Sequence, residues 1–247
     1  MPQKIRVATY NIHKGCGLDG RTRIERIAGV LYAIGADVVA LQEVVSHEGA
    51  SIEDHQAEYL AKQFGYFHII GETRKHRGGV YGNVTLSRWR FQQSRHVDLS
   101  VSGREERGVL RTDIEMEGQI VHVFNAHLGT GHRERRKQAP RLMGGDLLKA
   151  LDIRGPRIVL GDFNEWTRGL VSRTLSGEFP LTDLRAHLPR IRAYPSGLPL
   201  LSLDHIYYDH HFEVERAHFH RSRLSLMASD HLPLVADLLI DVSQAES

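Results

Sequence analysis

Two β-sheets packed face to face, with helices on the outside, is the architecture this sequence predicts. Three observations carry it. Short β-type runs outnumber helical segments, the order strand-helix-strand-helix gives way to consecutive strands, and a helix-strand alternation returns in the second half. Too many strands are joined by short turns for one doubly wound sheet.

In chain order, residues 5–10 form an apolar strand, and 23–34 carry Ile24, Ile27, Ala28, Leu31 and Ile34 at the spacing of an amphipathic helix. Gly35 ends that helix. Residues 38–41 are continuously apolar, which fits a strand buried on both faces. A second helix is expected over 54–64, stopped by Gly65. Strands then follow over 66–70, 82–87, 91–99, 108–115 and 119–126, with Gly118 as the turn of a hairpin. A helical segment is expected between about 132 and 151, with Pro140 starting a new helix or kinking the old one. Strands over 157–160, 203–208, 212–219 and 231–240 complete the pattern.

With 247 residues, 41% of them hydrophobic, the chain is long enough for one large domain or two small ones. No linker, low-complexity tract or repeat divides it, and the candidate site residues span Asn11 to His231, so one domain over 1–247 is expected. A net charge of only +2 argues against gripping long nucleic acid by charge alone. The 16 histidines are scattered and form no metal-binding tract. Cys16 stands alone, which rules out an internal disulfide and fits a reducing compartment. Met1-Pro2-Gln3-Lys4 runs into the first strand without a signal segment, and no stretch approaches the ~18 apolar residues of a membrane span. A cytoplasmic monomer with no integral membrane contact is the expectation.

Three segments place carboxylates where apolar runs end: Gly161-Asp162-Phe163-Asn164, Ser202-Leu203-Asp204-His205 and Ser229-Asp230-His231. Asn11 and Glu43 follow apolar runs in the same way. Strand ends on one rim are where scattered residues converge into a site, and carboxylates, amides and histidines together suit metal-assisted attack on phosphate. Glu43 can supply a carboxylate to Mg²⁺, and Asn11 can hold a metal-bound water or ligate through its amide oxygen; taken singly, Asn11 reads better as a turn cap and Glu43 as a surface acid. Asp162 and Asn164 can face one side of an extended loop, orienting water and holding a phosphate oxygen. His231, paired with Asp204, is a candidate acid or stabiliser of developing charge, and Asp230 is a candidate metal ligand. His127, after Asn125-Ala126, can reach a phosphate oxygen. Asn83 and Arg107 are further substrate-binding candidates, although Arg107 can equally pair with Glu105 or Glu106. Trp166 either stacks on a base or leaving group or packs in the core. The basic run Arg133, Arg135, Arg136, Lys137 and Arg141 is a solvated helix face or one wall of a groove for anions.

Tyr10-Asn11, Leu41-Gln42-Glu43, Gly82-Asn83-Val84-Thr85-Leu86-Ser87-Arg88, Asn125-Ala126-His127-Leu128, Gly161-Asp162-Phe163-Asn164, Leu203-Asp204-His205-Ile206 and Ser229-Asp230-His231 occur in the order of one family. The ordered set resembles the endonuclease/exonuclease/phosphatase superfamily of deoxyribonuclease-I-like phosphohydrolases, and within it small bacterial members. The resemblance covers nearly the whole chain. It implies a four-layer α/β sandwich and Mg²⁺- or Mn²⁺-dependent hydrolysis of a phosphate ester, with a phosphodiester substrate, nucleic acid being the first choice and a phosphatase or a lipid or inositol phosphodiesterase of the same superfamily the alternative. It also implies Glu43 as the main metal ligand assisted by Asn11, Asp230 beside the metal, Asp162 activating water and Asn164 holding a phosphate oxygen. His127 and the His231–Asp204 pair then stabilise the pentacovalent phosphorus. Whether one metal acts or two stays open. A non-catalytic member that binds phosphorylated ligands is the rival reading, but such scaffolds lose Asp162, Asn164, Asp230 or His231, all present here. Long DNA-penetrating loops are absent, so Arg74-Lys75-His76-Arg77-Gly78-Gly79 and Ala193-Tyr194-Pro195-Ser196-Gly197-Leu198-Pro199 are the expected specificity elements.

Overall fold

The computed structural model describes residues 2–240 apart from 48, 50, 53, 77, 168 and 189–191. Two six-stranded sheets face each other. The first has the order β11-β12-β1-β2-β4-β3, built from β1 (Gln3–Asn11), β2 (Val38–Ser46), β3 (Phe67–His76), β4 (Gly79–Ser87), β11 (Phe212–Phe219) and β12 (Leu234–Ile240). The second has the order β5-β6-β7-β8-β10-β9, from β5 (Phe91–Asp98), β6 (Gly108–Met116), β7 (Gln119–His127), β8 (Arg157–Asp162), β9 (Thr182–Asp183) and β10 (Asp204–Tyr208). Helices α1 (Ile24–Ile34) and α2 (Gln56–Phe64) cover the first sheet; α3 (His132–Leu142) and α4 (Leu170–Glu178) cover the second. A short α5 (Arg223–Ala228) packs on α1. This is the four-layer sandwich expected.

Strand parity explains the layering. Ile5, Val7, Val38 and Ala40 enter the core between the sheets, while their neighbours Ala8, Tyr10, Val39 and Leu41 pack under the helices. Successive side chains point to opposite faces, so a continuous apolar run is what a strand between two covered faces requires. Each sheet contains one parallel pair, β1 with β2 and β7 with β8, and the other pairings are antiparallel. The four strands of those parallel pairs end on one rim, at Asn11, just past Glu43, at His127 and at Asp162.

Buried amides stitch the sheets together beneath that rim. Gln42 Nε2 donates to Asn125 Oδ1 at 2.8 Å, and Asn125 Nδ2 donates to the carbonyls of Leu41 and Val84 at 3.0 and 2.9 Å. Asn83 Nδ2 donates to the carbonyls of Gly108 and Asn125 at 3.0 and 3.1 Å. Asn83, expected to bind substrate, is only 1% exposed and spends its amide on this seam. Its assignment is corrected: a buried amide must be satisfied, and here the facing sheet satisfies it.

Three helix expectations also change. The segment expected to run to 151 stops at Leu142, because Pro140 removes an N–H and crowds the preceding turn, and turns follow. Helices α4 and α5 lie where no helical period was read, and the last strand begins at Leu234, leaving His231 in the turn before it.

Candidate active site

Backbone conformation puts the polar groups in place. Leu41 pairs with Val84 and Val44 with Gly82, so Gln42 and Glu43 together oppose the single residue Asn83. Glu43 sits in this bulge at φ 58°; bulges of this kind re-aim a side chain. His13, Lys14 and Asn164 also have positive φ, at 46°, 59° and 50°. Glu117 in the β6–β7 hairpin is the other non-glycine example among the described residues. Such strain clusters where function needs it. Gly161 has φ 145°, and a Cβ there would stand 1.8 Å from the Ala126 carbonyl oxygen. The glycine therefore permits close approach of β7 to β8.

Asp162 is the meeting point. It is 2% exposed. Its Oδ1 accepts the Asn164 backbone N–H at 2.9 Å, and its Oδ2 accepts Asn11 Nδ2 at 3.0 Å. His127 Nε2 and His231 Nε2 lie 3.6 and 3.7 Å from the same Oδ2. On its other side His231 Nδ1 is 2.8 Å from Asp204 Oδ2. Asn164 donates its side-chain N–H to the Leu128 carbonyl at 2.9 Å. Ser229 Oγ donates to the Asn11 carbonyl at 2.8 Å, which ties the Ser229-Asp230-His231 turn to the end of β1. Asp230 Oδ1 lies 3.6 Å from His13 Nδ1 at the more open side of the rim.

The electrostatics divide the imidazoles into two roles. Burial opposes a charge on His231, but Asp204 and Asp162 outweigh it and raise its pKa to about 10, so it is an imidazolium at neutral pH. His127 is the reverse: burial, reinforced by Arg107, lowers its pKa to about 4 and keeps it neutral. Burial pushes Asp162 above the usual carboxylate range against the pull of His231 and His127, which makes it a stronger base. Glu43 is partly buried, which opposes its charge, yet His127 and Lys14 overcome that and hold its pKa at about 2.

Asn11 departs from the expected ligand geometry. The His13 backbone N–H donates to Asn11 Oδ1 at 3.0 Å, which fixes the amide's orientation. Its Nδ2 therefore faces the carboxylates, donating to Glu43 Oε1 at 3.2 Å as well as to Asp162. Asn11 braces the acids instead of presenting its oxygen to them. The donor chemistry nonetheless suits a divalent cation: Glu43 and Asp230 are hard oxygen donors of the kind Mg²⁺ and Mn²⁺ take, and one or two carboxylates with waters suffice to hold such an ion. Glu43 already receives a cation, the Lys14 ammonium at 3.2 Å.

Of the remaining candidates, Arg107 is buried, donating to the Leu128 carbonyl at 3.2 Å and pairing with Glu105 Oε2 at 2.8 Å. Trp166 is 53% exposed, which excludes the core-packing reading. Of the basic run, Arg135 is buried on the carbonyls of Gly129 and Thr130, and Arg133, Arg136, Lys137 and Arg141 are exposed. The two expected specificity segments flank the site. Tyr194 packs its ring 4.7 Å from that of His231, and His76 lines a cavity of about 490 Å³ with Lys14 and His47. Arg77 lies outside the described residues. Lys14, Tyr194 and Ser229 were not singled out as site residues from sequence; positive φ and ring packing reveal them only in three dimensions. The cluster Asp209, His210 and His211 brings three ligand-type atoms within 4.8 Å of one another, but it follows the far end of β10 and is not part of this centre.

Known proteins are similar to this chain in sequence and in fold. The chain matches the Endonuclease/Exonuclease/phosphatase family over residues 8–231, a span that contains every residue of the site from Asn11 to His231. It is 34% identical over 214 residues to protein YbhP of Escherichia coli K12, covering 82% of this chain and 83% of that one. Its fold matches an endonuclease/exonuclease/phosphatase from Beutenbergia cavernae with a TM-score of 0.78 at 24% identity, over 96% of this chain and 72% of that one. The mannosyl-6-phosphatase Bt3783 of Bacteroides thetaiotaomicron has the same fold, with a TM-score of 0.75 at 19% identity over 95% of this chain and 99% of that one. With the sandwich, the rim of strand ends and the matched span in agreement, this chain belongs to the endonuclease/exonuclease/phosphatase family of phosphate-ester hydrolases.

Proposed function

We propose that the chain is a Mg²⁺- or Mn²⁺-dependent phosphodiesterase, nuclease-like in its chemistry, that hydrolyses its substrate by attack of water. The observation that carries this reading is the convergence of Asn11, His127 and His231 on one oxygen of Asp162.

Glu43 and Asp230 are the residues that would hold the cation, and bound there it would offset negative charge on the phosphoryl group. The protein's own groups supply the rest. Asp162, held by the Asn164 N–H and the Asn11 amide, orients a water and accepts its proton. His231 stands opposite as an imidazolium whose Nε2–H is directed at the reacting centre, where it stabilises charge developing on a phosphoryl oxygen. Asp204 fixes its tautomer and keeps it charged. Neutral His127 binds a second phosphoryl oxygen without adding a charge that would weaken Asp162 as a base. The exposed Trp166, two residues beyond Asn164, offers its ring to a base or apolar leaving group.

The test is hydrolysis of bis-p-nitrophenyl phosphate against p-nitrophenyl phosphate, with Mg²⁺, Mn²⁺ or EDTA, beside an Asp162→Asn control. Metal-dependent cleavage of the diester that the substitution reduces by more than about 10³-fold is expected. Preference for the monoester would instead place the chain with phosphatases such as the Bacteroides neighbour. Full activity in Asp162→Asn would overturn the site assignment.

A further inference from the structure

Beside the proposed reacting centre, two buried donors lack hydrogen-bond partners among the described residues. At the end of β3 a bulge at Thr73 brings Arg74 directly opposite Tyr81 of β4. The Arg74 guanidinium lies 4.4 Å over the Tyr81 ring, a stacking that fixes its plane and leaves its edge available. Tyr81 is 1% exposed, yet its hydroxyl has no hydrogen-bond partner among the described residues, and neither has the buried Arg74 Nε. Burial keeps that hydroxyl protonated, and therefore a donor. Native proteins rarely leave such groups unsatisfied, and an exception asks for an occupant.

The surroundings identify the occupant's charge. Glu105 Oε2 lies 2.8 Å from Arg107 and its Oε1 lies 3.7 Å from Arg74, so one carboxylate already spans the two guanidinium groups. Glu106 Oε2 lies 3.7 Å from Arg74 on the outer side. Both glutamates are half-exposed and reach in from a loop. Arg107 donates to the Leu128 carbonyl, which also accepts from Asn164. On the opposite side Lys14 lies 5.9 Å from the Tyr81 ring and bonds Glu43. The place between Arg74 and Arg107 is thus the width of an oxyanion and continuous with the catalytic rim.

We propose that Arg74, Tyr81 and Arg107 form an anion subsite that takes a second negatively charged group of the substrate, a phosphate flanking the one that reacts, with the Glu105 carboxylate holding its place. The proposal rests on the phosphoesterase reading for its substrate class. In it, the incoming phosphate displaces Glu105, takes the Arg74 guanidinium and the Nη2 of Arg107, whose Nε and Nη1 stay on the Leu128 and Glu106 carbonyls, and accepts a hydrogen bond from the Tyr81 hydroxyl.

Binding separates this proposal from catalysis. In EDTA, titration calorimetry compares thymidine 3′,5′-bisphosphate with thymidine 5′-monophosphate. The bisphosphate is expected to bind about 10-fold more tightly, the effect of one added set of charge-assisted hydrogen bonds. Arg74→Ala should abolish that advantage and Tyr81→Phe should reduce it. Glu105→Gln should enlarge it, a gain that a misfolded variant cannot give. Equal affinity of the wild-type protein for both probes, or an advantage that survives Arg74→Ala, would overturn the subsite. The p-nitrophenyl esters of the same two probes with Mg²⁺ test the other reading. A binding preference without hydrolysis supports the subsite and sinks the phosphodiesterase; hydrolysis without preference does the reverse.

Discussion

Strand β10 has an aspartate–histidine pair at each end, and only one of them belongs to the proposed reacting centre. At the rim Asp204 Oδ2 lies 2.8 Å from His231 Nδ1; beyond the far end Asp209 Oδ1 lies 3.0 Å from His211 Nδ1. Bond length does not separate them. The difference is what else each group faces. His231 turns its second nitrogen toward Asp162 in a buried setting. Asp209 spends its remaining capacity on the backbone N–H groups of His211 and Arg157, closing a turn. A cluster with the composition of a site becomes one only when its members keep hydrogen-bonding capacity directed at a common point.

The largest expected effect tests the rim pair. His231→Gln keeps a hydrogen-bond donor of similar size and removes the positive charge. Diester hydrolysis should fall roughly 10²–10³-fold while the near-ultraviolet circular dichroism spectrum is retained. An unchanged rate would put the two pairs on an equal footing.

The imidazole on β10 itself gives an intermediate effect. His205 lies between Phe163 and Tyr207, with Nε2 2.8 Å from the Glu165 carbonyl oxygen and Nδ1 3.2 Å from the Tyr207 hydroxyl. Burial, with Arg185 nearby, lowers its pKa from 6.5 to about 4. As pH falls, the unfolded chain therefore takes up the proton first. The contribution of His205 to stability is intact above pH 6.5 and erodes from there to about 4, by about 3 kcal/mol in all. Urea midpoints between pH 8 and roughly 4 should show this, with a shallower decline in His205→Gln. An equally steep decline in that variant would assign the loss to other groups.

The smallest effect belongs to the far pair. Asp209→Asn should cost about 1 kcal/mol of stability by urea denaturation and leave diester hydrolysis at the wild-type rate. A slowed reaction would mean that the two ends of β10 are coupled.

Features set by local chemistry were legible in the sequence. Gly35 and Gly65 terminate α1 and α2 with φ of 59° and 65°, as glycines after amphipathic segments should. Apolar runs marked the strands, and the carboxylates after them marked the rim. What escaped was set by register and packing. No property of glutamate announces the bulge that turns Glu43 inward, and the orientation of Asn11 depends on which backbone N–H meets its oxygen. Asn83 looked like a ligand group because an amide at a strand end suits substrate as well as it suits a facing sheet. Helix α5, six residues long, is too short to display a period.

Asn11 and Glu43 come from one sheet, and His127, Asp162 and Asp204 from the other. The five amide bonds of Gln42, Asn83 and Asn125 run directly beneath them. Shear between the halves would break several of these bonds at once, so the distances across the rim are not adjusted locally by loops. They are inherited from the interior, and the precision of the chemistry above is a property of polar packing below.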